Sequence, residues 1–348
     1  MKPAPTPPSV PPVPWLRANG FLLGLVAAVL LGFLLPGPGS REGFLHPGVL
    51  NNVGIALILF LQGLSLAVEK IKSGAANWRL HLIIQAFTFL VFPLVGLVFD
   101  AALPLVWPDV PGSIRDGFLY LCVLPSTIST SVVLTAAARG NTTGALFNAA
   151  LSNLVGVVLT PVLVHLLMRH GGGASSSAFA PLLLKITLLT LLPFALGMLL
   201  RPSLKAWVDA RKAWSARLSN GIILFIVYTA FCDSVEQDIW HRHGLLLALP
   251  TLAAVVVLFA FISLLVHYTC RALKLDREDS IAAYFCSVKK TLAMGVPLAA
   301  LIFGERADLS LILLPIMFYH PLQLLVNGFF ASRWARKASG LSDGPEGG

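Results

Sequence analysis

The sequence is poor in charged residues. Only 12% of its 348 residues are charged, whereas 56% are hydrophobic and the mean hydropathy is +0.81. A soluble domain carries roughly a quarter charged residues. This deficit excludes an ordinary soluble protein and predicts an all-α polytopic membrane protein.

The signatures of several enzyme classes are also missing. The chain contains no HExxH zinc motif, no GxSxG nucleophile elbow, no P-loop and no paired intramembrane aspartates. These absences argue against a membrane protease, a hydrolase and an ATP-driven pump. We therefore expect no enzymatic activity and no cofactor.

Cysteine is scarce as well. The four cysteines Cys122, Cys232, Cys270 and Cys286 lie in or beside apolar segments, without metal-ligand spacing or a disulfide framework. We expect small buried thiols.

Long apolar runs are what the chain has instead. A hydrocarbon core of about 30 Å requires about 20 apolar residues per helix. This length predicts ten transmembrane helices, at 15–35, 48–68, 80–106, 114–138, 141–168, 180–200, 217–235, 244–271, 279–303 and 308–332.

The basic residues predict the orientation of these helices. If the N-terminus is cytoplasmic, the inside segments carry 17 of the 25 lysines and arginines, the outside segments carry 5, and three lie within spans. This bias predicts cytoplasmic termini in an inner or plasma membrane, with a proline-rich tail at 1–14 and a second tail at 333–348. The net charge of +9 therefore reports orientation and does not predict nucleic-acid binding, since no continuous basic face exists.

An even division into five and five spans gives the second half the opposite orientation. The repeats would cover 15–168 and 180–332 of a single transporter domain at 15–332. The fourth span of each half contains a short polar run, at 125–131 and at 286–291. Matched interruptions of this kind indicate a transport site, so we expect broken helices 4 and 9 to cross there.

The polar run of span 4 consists of a proline followed by hydroxyls. Pro125 removes a backbone donor and opens the helix, which frees carbonyl oxygens. Together with the hydroxyls, these oxygens suit Na⁺ or the polar groups of a substrate, and the candidate residues are Pro125, Thr127, Ser129, Thr130 and Ser131. Alternatively, the hydroxyls bond back to their own helix.

Span 5 presents a second polar face. Asn148, Ser152 and Asn153 are separated by four and five residues, which places them on one side of a helix. This face would lie against the broken span 4 and bind substrate or ion. An interhelical hydrogen-bond seam is an equal alternative.

Two adjacent lysines interrupt span 9. Ser287, Lys289, Lys290 and Thr291 lie in an apolar segment, where a charge costs a few kcal/mol even on the most lenient scale. A lysine here could neutralise an anionic substrate, pair with a carboxylate, replace a bound cation or carry a coupled proton. Because consecutive helical residues point about 100° apart, only one would face a given point. Alternatively, both lysines reach a membrane interface.

These motifs resemble those of the bile acid:sodium symporter family. The resemblance is carried by FLQGLSL at 60–66, the hydroxyl run with ARG at 138–140, LTP at 159–161 and SVKKTLAMGVPL at 287–298, and it covers about 15–332. It is nearest to the branch that contains solute carrier family 10 member 7. The resemblance implies ten helices, crossed broken helices 4 and 9, and alternating access of organic anions driven by Na⁺.

The resemblance also implies positions for sodium ligands. These fall near Thr130, Ser131, Ala145, Ala149, Ser287, Lys289 and Lys290. Only Thr130, Ser131 and Ser287 offer side-chain oxygens, so these three are the candidate Na⁺ ligands. Bile acid transporters have a Glu and a Gln-Asn pair where this chain has Ser287 and the lysines. A lysine at that place favours an anionic substrate or proton coupling.

The sequence therefore predicts a secondary active transporter of a small organic anion, coupled to Na⁺ or H⁺ and embedded in the lipid bilayer. The alternative is a membrane regulator that uses the same fold without net transport. The oligomeric state is left open by the sequence.

Overall fold

A computed structural model describes residues 20–65, 77–168, 176–240, 245–304 and 306–338. The tail predicted at 1–14, the start of the first predicted span and residues 339–348 of the C-terminal tail lie outside the described residues. Residues 333–338 continue the last helix.

The described chain is helical and contains no strand. In chain order the helices are α1 (Gly20–Leu34), α2 (Pro36–Gly39), α3 (Pro47–Ser65), α4 (Trp78–Val106, with a π-helical turn at Phe87–Val91), α5 (Gly112–Val123), α6 (Ser129–Ala137), α7 (Thr142–Leu167), α8 (Ser176–Ala210), α9 (Lys212–Glu236), α10 (Ala248–Ala272, after a 3₁₀ turn at Leu245–Leu247), α11 (Arg277–Val288), α12 (Leu292–Phe303) and α13 (Leu309–Ala338).

Eight helical stretches in this part of the chain are long and apolar enough to cross a bilayer, and α11–α12 counts as one of them. The pair α5–α6 and the 15-residue α1 are the shorter pieces. The prediction of an all-α polytopic membrane protein is therefore confirmed, while the count of ten stays a prediction. All four cysteines are buried free thiols, as expected.

Three predicted boundaries are wrong: the helix of the seventh span begins at Lys212 and not at 217, that of the tenth continues to Ala338 and not to 332, and the third error lies in α8. The sixth span was expected to end at residue 200, but α8 continues to Ala210. The extension mixes apolar residues with Arg201, Lys205 and Asp209, and these charges marked the predicted end of the span. Arg201, which was expected in a loop, is buried and donates a hydrogen bond to the Leu64 carbonyl of α3.

Two helices break inside the bundle. Between α5 and α6, Leu124 is extended (ψ 149°) because the following proline disfavours helical backbone. Between α11 and α12, Lys289 is extended (ψ 139°), and the Thr291 hydroxyl accepts a bond from the Met294 N–H to start α12. The Thr291 N–H donates to the Pro125 carbonyl at 3.1 Å, so the two breaks touch each other.

Helices α3 and α8 pack through facing glycines. A Cβ on Gly63 would lie 2.1 Å from the Phe194 carbonyl oxygen, and one on Gly197 would lie 2.2 Å from that of Phe60. Small residues of this kind let membrane helices approach with their backbones in contact.

A Gly63→Ala substitution is expected to lower the stability of the bundle by about 1–3 kcal/mol, because the added methyl meets backbone that cannot rotate away. The measurement is the melting temperature of the purified protein in detergent. Gly221→Ala in α9 is the matched control, since a Cβ there meets nothing within 4 Å. Equal melting temperatures for the two variants would show that α3 and α8 can move apart at Gly63 without loss of stability.

Candidate functional site

The contact between the two helix breaks lies in the interior of the bundle. Lys289 and Lys290 are both 0% exposed, and Thr291 is 5% exposed. The alternative in which both lysines reach a membrane interface is therefore wrong. Helices α5, α11 and α12 surround the break with apolar side chains, so the lysines lie in a low-dielectric environment.

The Lys290 ammonium is held by backbone carbonyls. It donates to the carbonyls of Leu124 at 2.7 Å, Cys122 at 2.9 Å and Thr88 at 3.2 Å, and it lies 4.0 Å from the centre of the Phe92 ring. The Cys122 carbonyl is free because α5 ends one residue later, and a helix C-terminus carries partial negative charge. Three carbonyl dipoles and the face of the Phe92 ring therefore stabilise the ammonium charge in place of a carboxylate.

Gln323 of α13 fixes the backbone of the same residue. Its Oε1 accepts from the Lys290 N–H at 2.9 Å, and its Nε2 donates to the Lys290 carbonyl at 2.8 Å. Sequence reasoning missed this residue. The signal was a polar stripe of His320, Gln323 and Asn327, at spacings of three and four, on an otherwise apolar helix.

Lys289 has a different environment. Among the described residues its ammonium has no hydrogen-bond partner, and the same holds for the Ser287 hydroxyl and both polar atoms of Asn327. His320 and Cys286 lie within electrostatic range of the ammonium. The expected 100° separation of the two lysines does not apply, because the chain is extended at 289 and not helical.

Three hydroxyls of the span 4 run form one cluster. The Thr127 hydroxyl lies 2.7 Å from that of Thr130 and 3.1 Å from that of Ser131, which in turn donates to the Phe285 carbonyl at 3.1 Å. Three hydroxyl oxygens and one carbonyl oxygen therefore converge between α6 and α11. Ser129 begins α6 beside them, and Pro125 supplies the carbonyl that joins the two breaks.

The polar face of α7 satisfies the break in α5–α6. Asn153 donates to the Ser126 carbonyl at 2.7 Å, and Ser152 accepts from the Ser126 N–H at 3.0 Å. Asn148 is not brought to the break. It contacts His81 at 2.9 Å and Gln85 at 3.2 Å on α4, so at this position the hydrogen-bond seam describes the structure.

A cavity of about 530 Å³ adjoins the contact between the two helix breaks. It reaches the first turn of α9, where the Lys212 side chain is exposed. Its apolar wall includes Phe21 and Leu324, and none of the described residues that line it is a carboxylate. Its polar lining consists of Gln62, Ser65, Thr127, Ser129, Thr130, Asn153, Lys212, Ser215, Ser219, Asn220, Thr291 and His320.

Two helix breaks in contact inside an apolar bundle are typical of transporters. Comparison with known proteins agrees, since the profile of the SBF-like CPA transporter family matches residues 19–336. The chain belongs to this family.

Its relatives in the SBF-like CPA transporter family match almost end to end. An uncharacterized protein of Pseudomonas aeruginosa is 39% identical over 337 residues, covering 95% of this chain and 98% of its own. "Putative symporter YfeH" of Escherichia coli K12 is 36% identical, covering 92% and 94%. Sodium/bile acid cotransporter 7 of Rattus norvegicus is 31% identical, covering 90% and 91%.

The sodium-ligand positions implied by the bile acid transporter resemblance can now be placed in the fold. Ala145 and Ala149 are fully buried on α7, and the Cys286 thiol of α11 lies 3.6 Å from the Ala145 carbonyl. Neither alanine offers a side-chain oxygen to an ion. Among the described residues, no hydrogen bond joins Ser287 to the Thr130–Ser131 pair, so the three candidate Na⁺ ligands do not form one hydrogen-bonded group.

The opposite end of the bundle is tied by ion pairs. Arg41 pairs with Asp233 of α9 at 2.6 Å and donates to the Gly304 carbonyl at 2.8 Å. Arg306 joins Asp116 of α5 at 2.7 Å to Asp308 at 2.8 Å. Its hydrogen bond with Asp308 raises the pKa of Arg306. Burial raises the pKa of Asp308, but the bonds from Arg306 and Ser113 outweigh it, so this pKa falls below its ordinary value.

Proposed function

We propose that this protein is a secondary active transporter that moves a small organic anion across an inner or plasma membrane by alternating access. The observation that carries the proposal is the contact between two helix breaks, where the buried Lys289 ammonium has no partner among the described residues. No carboxylate is among the described residues that line the adjacent cavity, which favours an anionic ligand over a cationic one. Membership of a transporter family supports the same reading.

The proposed architecture is ten transmembrane helices in two inverted repeats, at 15–168 and 180–332. The pair α5–α6 is then span 4, and α11–α12 is span 9. The distribution of basic residues supports a cytoplasmic location for both termini and for the mouth of the cavity near Lys212. The ion pairs of Arg41 and Arg306 then close the outer side, which corresponds to an inward-facing conformation.

Each polar group at the crossing has a proposed role. Lys290 acts as a fixed cation, since carbonyl oxygens surround its ammonium as they would surround a bound ion. Lys289 is buried behind the cavity lining, and its charge compensates that of the substrate anion from there. Thr127, Ser129, Asn153 and Thr291 bind its polar atoms from the cavity wall.

The proposed coupling ion is Na⁺, bound by the hydroxyls of Thr130 and Ser131 beside the Phe285 carbonyl, with Ser287 as a further ligand. Hard oxygen donors of this kind suit an alkali cation, and the name of the rat relative includes sodium. A proton carried by Lys289 is the second candidate, and the absence of a partner for its ammonium among the described residues favours it.

Ligand-dependent stability followed by uptake tests the proposal. A panel of small carboxylates, sulfonates and phosphate esters is screened for a rise in melting temperature, because a ligand at 100 times its Kd stabilises by about 2.7 kcal/mol. Compounds that stabilise the protein are then offered to proteoliposomes under an inward Na⁺ gradient, a pH gradient or neither. We expect accumulation of at least one anion above its equilibrium level under the Na⁺ gradient.

Thr130→Val should weaken this accumulation by about tenfold or more, because the bound Na⁺ would lose one of its oxygen ligands. Thr269→Val in α10 is the control, because Thr269 is remote from the cavity lining. If only the pH gradient drives accumulation, the coupling ion is a proton and not Na⁺. Failure of every anion to accumulate, in protein that remains folded, would contradict transport and favour the regulator.

A further inference from the structure

A second cavity lies at the basic end of the bundle, between α10, α11 and α13. Its volume is about 450 Å³. Its lining includes His267, Arg271, Arg277, Ser280, Tyr284 and Trp334. We refer to these six residues as the α10–α13 groove, which is separate from the helix crossing and shares none of the lining residues of the larger cavity.

The charge of the groove is positive. Arg277 is fixed in place, because its guanidinium donates to the carbonyls of Ala138 at 3.2 Å and Trp334 at 2.9 Å. Arg271 lies in the last turn of α10 and makes no ion pair within the described part of the chain. Within the described part of the chain no carboxylate lines the groove, and Asp279 on the adjacent turn accepts a bond from Asn141 at 2.7 Å. Backbone carbonyls already accept from the Arg277 guanidinium, so an anion would pair directly with Arg271 and feel the positive charge of Arg277 beside it.

The wall of the groove also contains an unused hydrogen-bond donor. Tyr284 is only 5% exposed, and its hydroxyl makes no hydrogen bond of normal geometry among the described residues, although it lies within interaction range of the Ser263 hydroxyl of α10, which is unsatisfied as well. The ring is held edge-on against Trp334 at 5.2 Å and Phe330 at 5.9 Å, so the hydroxyl cannot move freely toward solvent. A buried hydroxyl without a partner is costly, and a phosphate oxygen in the groove would supply the acceptor.

The surface beside the groove is apolar. On α10, Tyr268 is 61% exposed and Leu264 is 54% exposed, about one and two turns along the helix from Arg271, respectively. Such a surface faces hydrocarbon in a membrane protein. A ligand that fills the groove and continues along α10 must therefore carry both a negative head and apolar chains.

We propose that the α10–α13 groove binds the phosphate headgroup of an anionic glycerophospholipid, with the acyl chains against the exposed face of α10. Basic pockets between membrane helices on the cytoplasmic side bind such headgroups. Arg271 pairs with the phosphodiester beside the charge of Arg277, the Tyr284 hydroxyl donates to it, and Trp334 lies at the interface. This site does not depend on the proposed transport function.

Titration of lipid into the delipidated full-length protein in detergent tests the site. Phosphatidylglycerol should raise the melting temperature and appear as one retained molecule in native mass spectrometry. Arg271→Gln and Tyr284→Phe should weaken this effect, the former by about tenfold, which is the cost of one charge-assisted hydrogen bond. Arg336→Gln, which removes an exposed arginine from the same end, should leave the effect unchanged.

Three results would each overturn the proposal. Equal stabilisation by phosphatidylcholine would show that the groove does not distinguish an anionic lipid from a lipid without net charge. Equal stabilisation by inorganic phosphate would show that the groove binds a soluble anion. Equal losses in Arg271→Gln and Arg336→Gln would show attraction to the basic end as a whole. Because Tyr284→Phe removes a single unbonded oxygen, it tests the site even if Arg271→Gln folds poorly.

Discussion

Lys290→Met is expected to destabilise the protein, whereas Lys289→Met is expected to leave its stability unchanged or to raise it. The Lys290 ammonium satisfies three carbonyls, and methionine would leave them buried without a donor. Each buried polar group left unsatisfied costs about 1–3 kcal/mol. The Lys289 ammonium satisfies no group within the described residues, so methionine would remove a buried charge that lacks a partner.

The measurement is the melting temperature of both variants in the same detergent and at the same pH. Methionine is close to lysine in length and leaves little cavity, so the comparison isolates the ammonium. Equal losses in the two variants would contradict the distinct roles assigned to the two lysines. Uptake of the substrate anion should fail in both variants, so stability is the property that separates them.

Lys290→Ala is expected to create a binding site for a small cation. Removal of the long side chain leaves the carbonyls of Cys122, Leu124 and Thr88 around an empty space beside the Phe92 ring. A small cation can enter such an oxygen-lined space. The melting temperature of Lys290→Ala should therefore rise with NaCl concentration at constant ionic strength. In the wild type the Lys290 ammonium already fills this space, so Na⁺ cannot bind there. A flat response in Lys290→Ala would contradict the fixed-cation role.

The sequence was sufficient to locate the two helix breaks. Pro125 and the adjacent lysines stand out because an apolar segment tolerates few polar residues, and the Thr291–Pro125 hydrogen bond joins the places that they mark. The partners of Lys290 could not be predicted. Thr88 is 202 residues away along the chain, and its carbonyl meets the ammonium only because α4 packs beside the crossing.

The sequence also could not predict which neighbouring helix each polar side chain of α7 contacts. The spacing of Asn148 and Ser152 correctly places them on one face of α7, but that face is broad enough to touch both α4 and α5. Asn148 contacts the former and Ser152 the latter. Periodicity gives the face of a helix and not its neighbours, which depend on how the other helices pack.

Gln323→Met is expected to be among the most destabilising single substitutions in α13. The amide of Gln323 bonds both the N–H and the carbonyl of Lys290, in a stretch where no helix supplies partners. Methionine matches its length but leaves two buried backbone groups unsatisfied, at about 1–3 kcal/mol each. The melting temperature should fall well below that of the wild type, and the orientation of Lys290 should be lost with it.

Asn327→Leu is the matched control for Gln323→Met, because it removes a buried amide one turn further along the same face of α13. Asn327 is 0% exposed, and neither of its polar atoms has a partner among the described residues. Leucine of similar size should therefore cost little or even stabilise, since replacing an unsatisfied buried amide with an apolar group removes a desolvation penalty. If Asn327→Leu is as damaging as Gln323→Met, the stripe acts through its general polarity, and the specific clamp on the Lys290 backbone is not what holds the break in α11–α12.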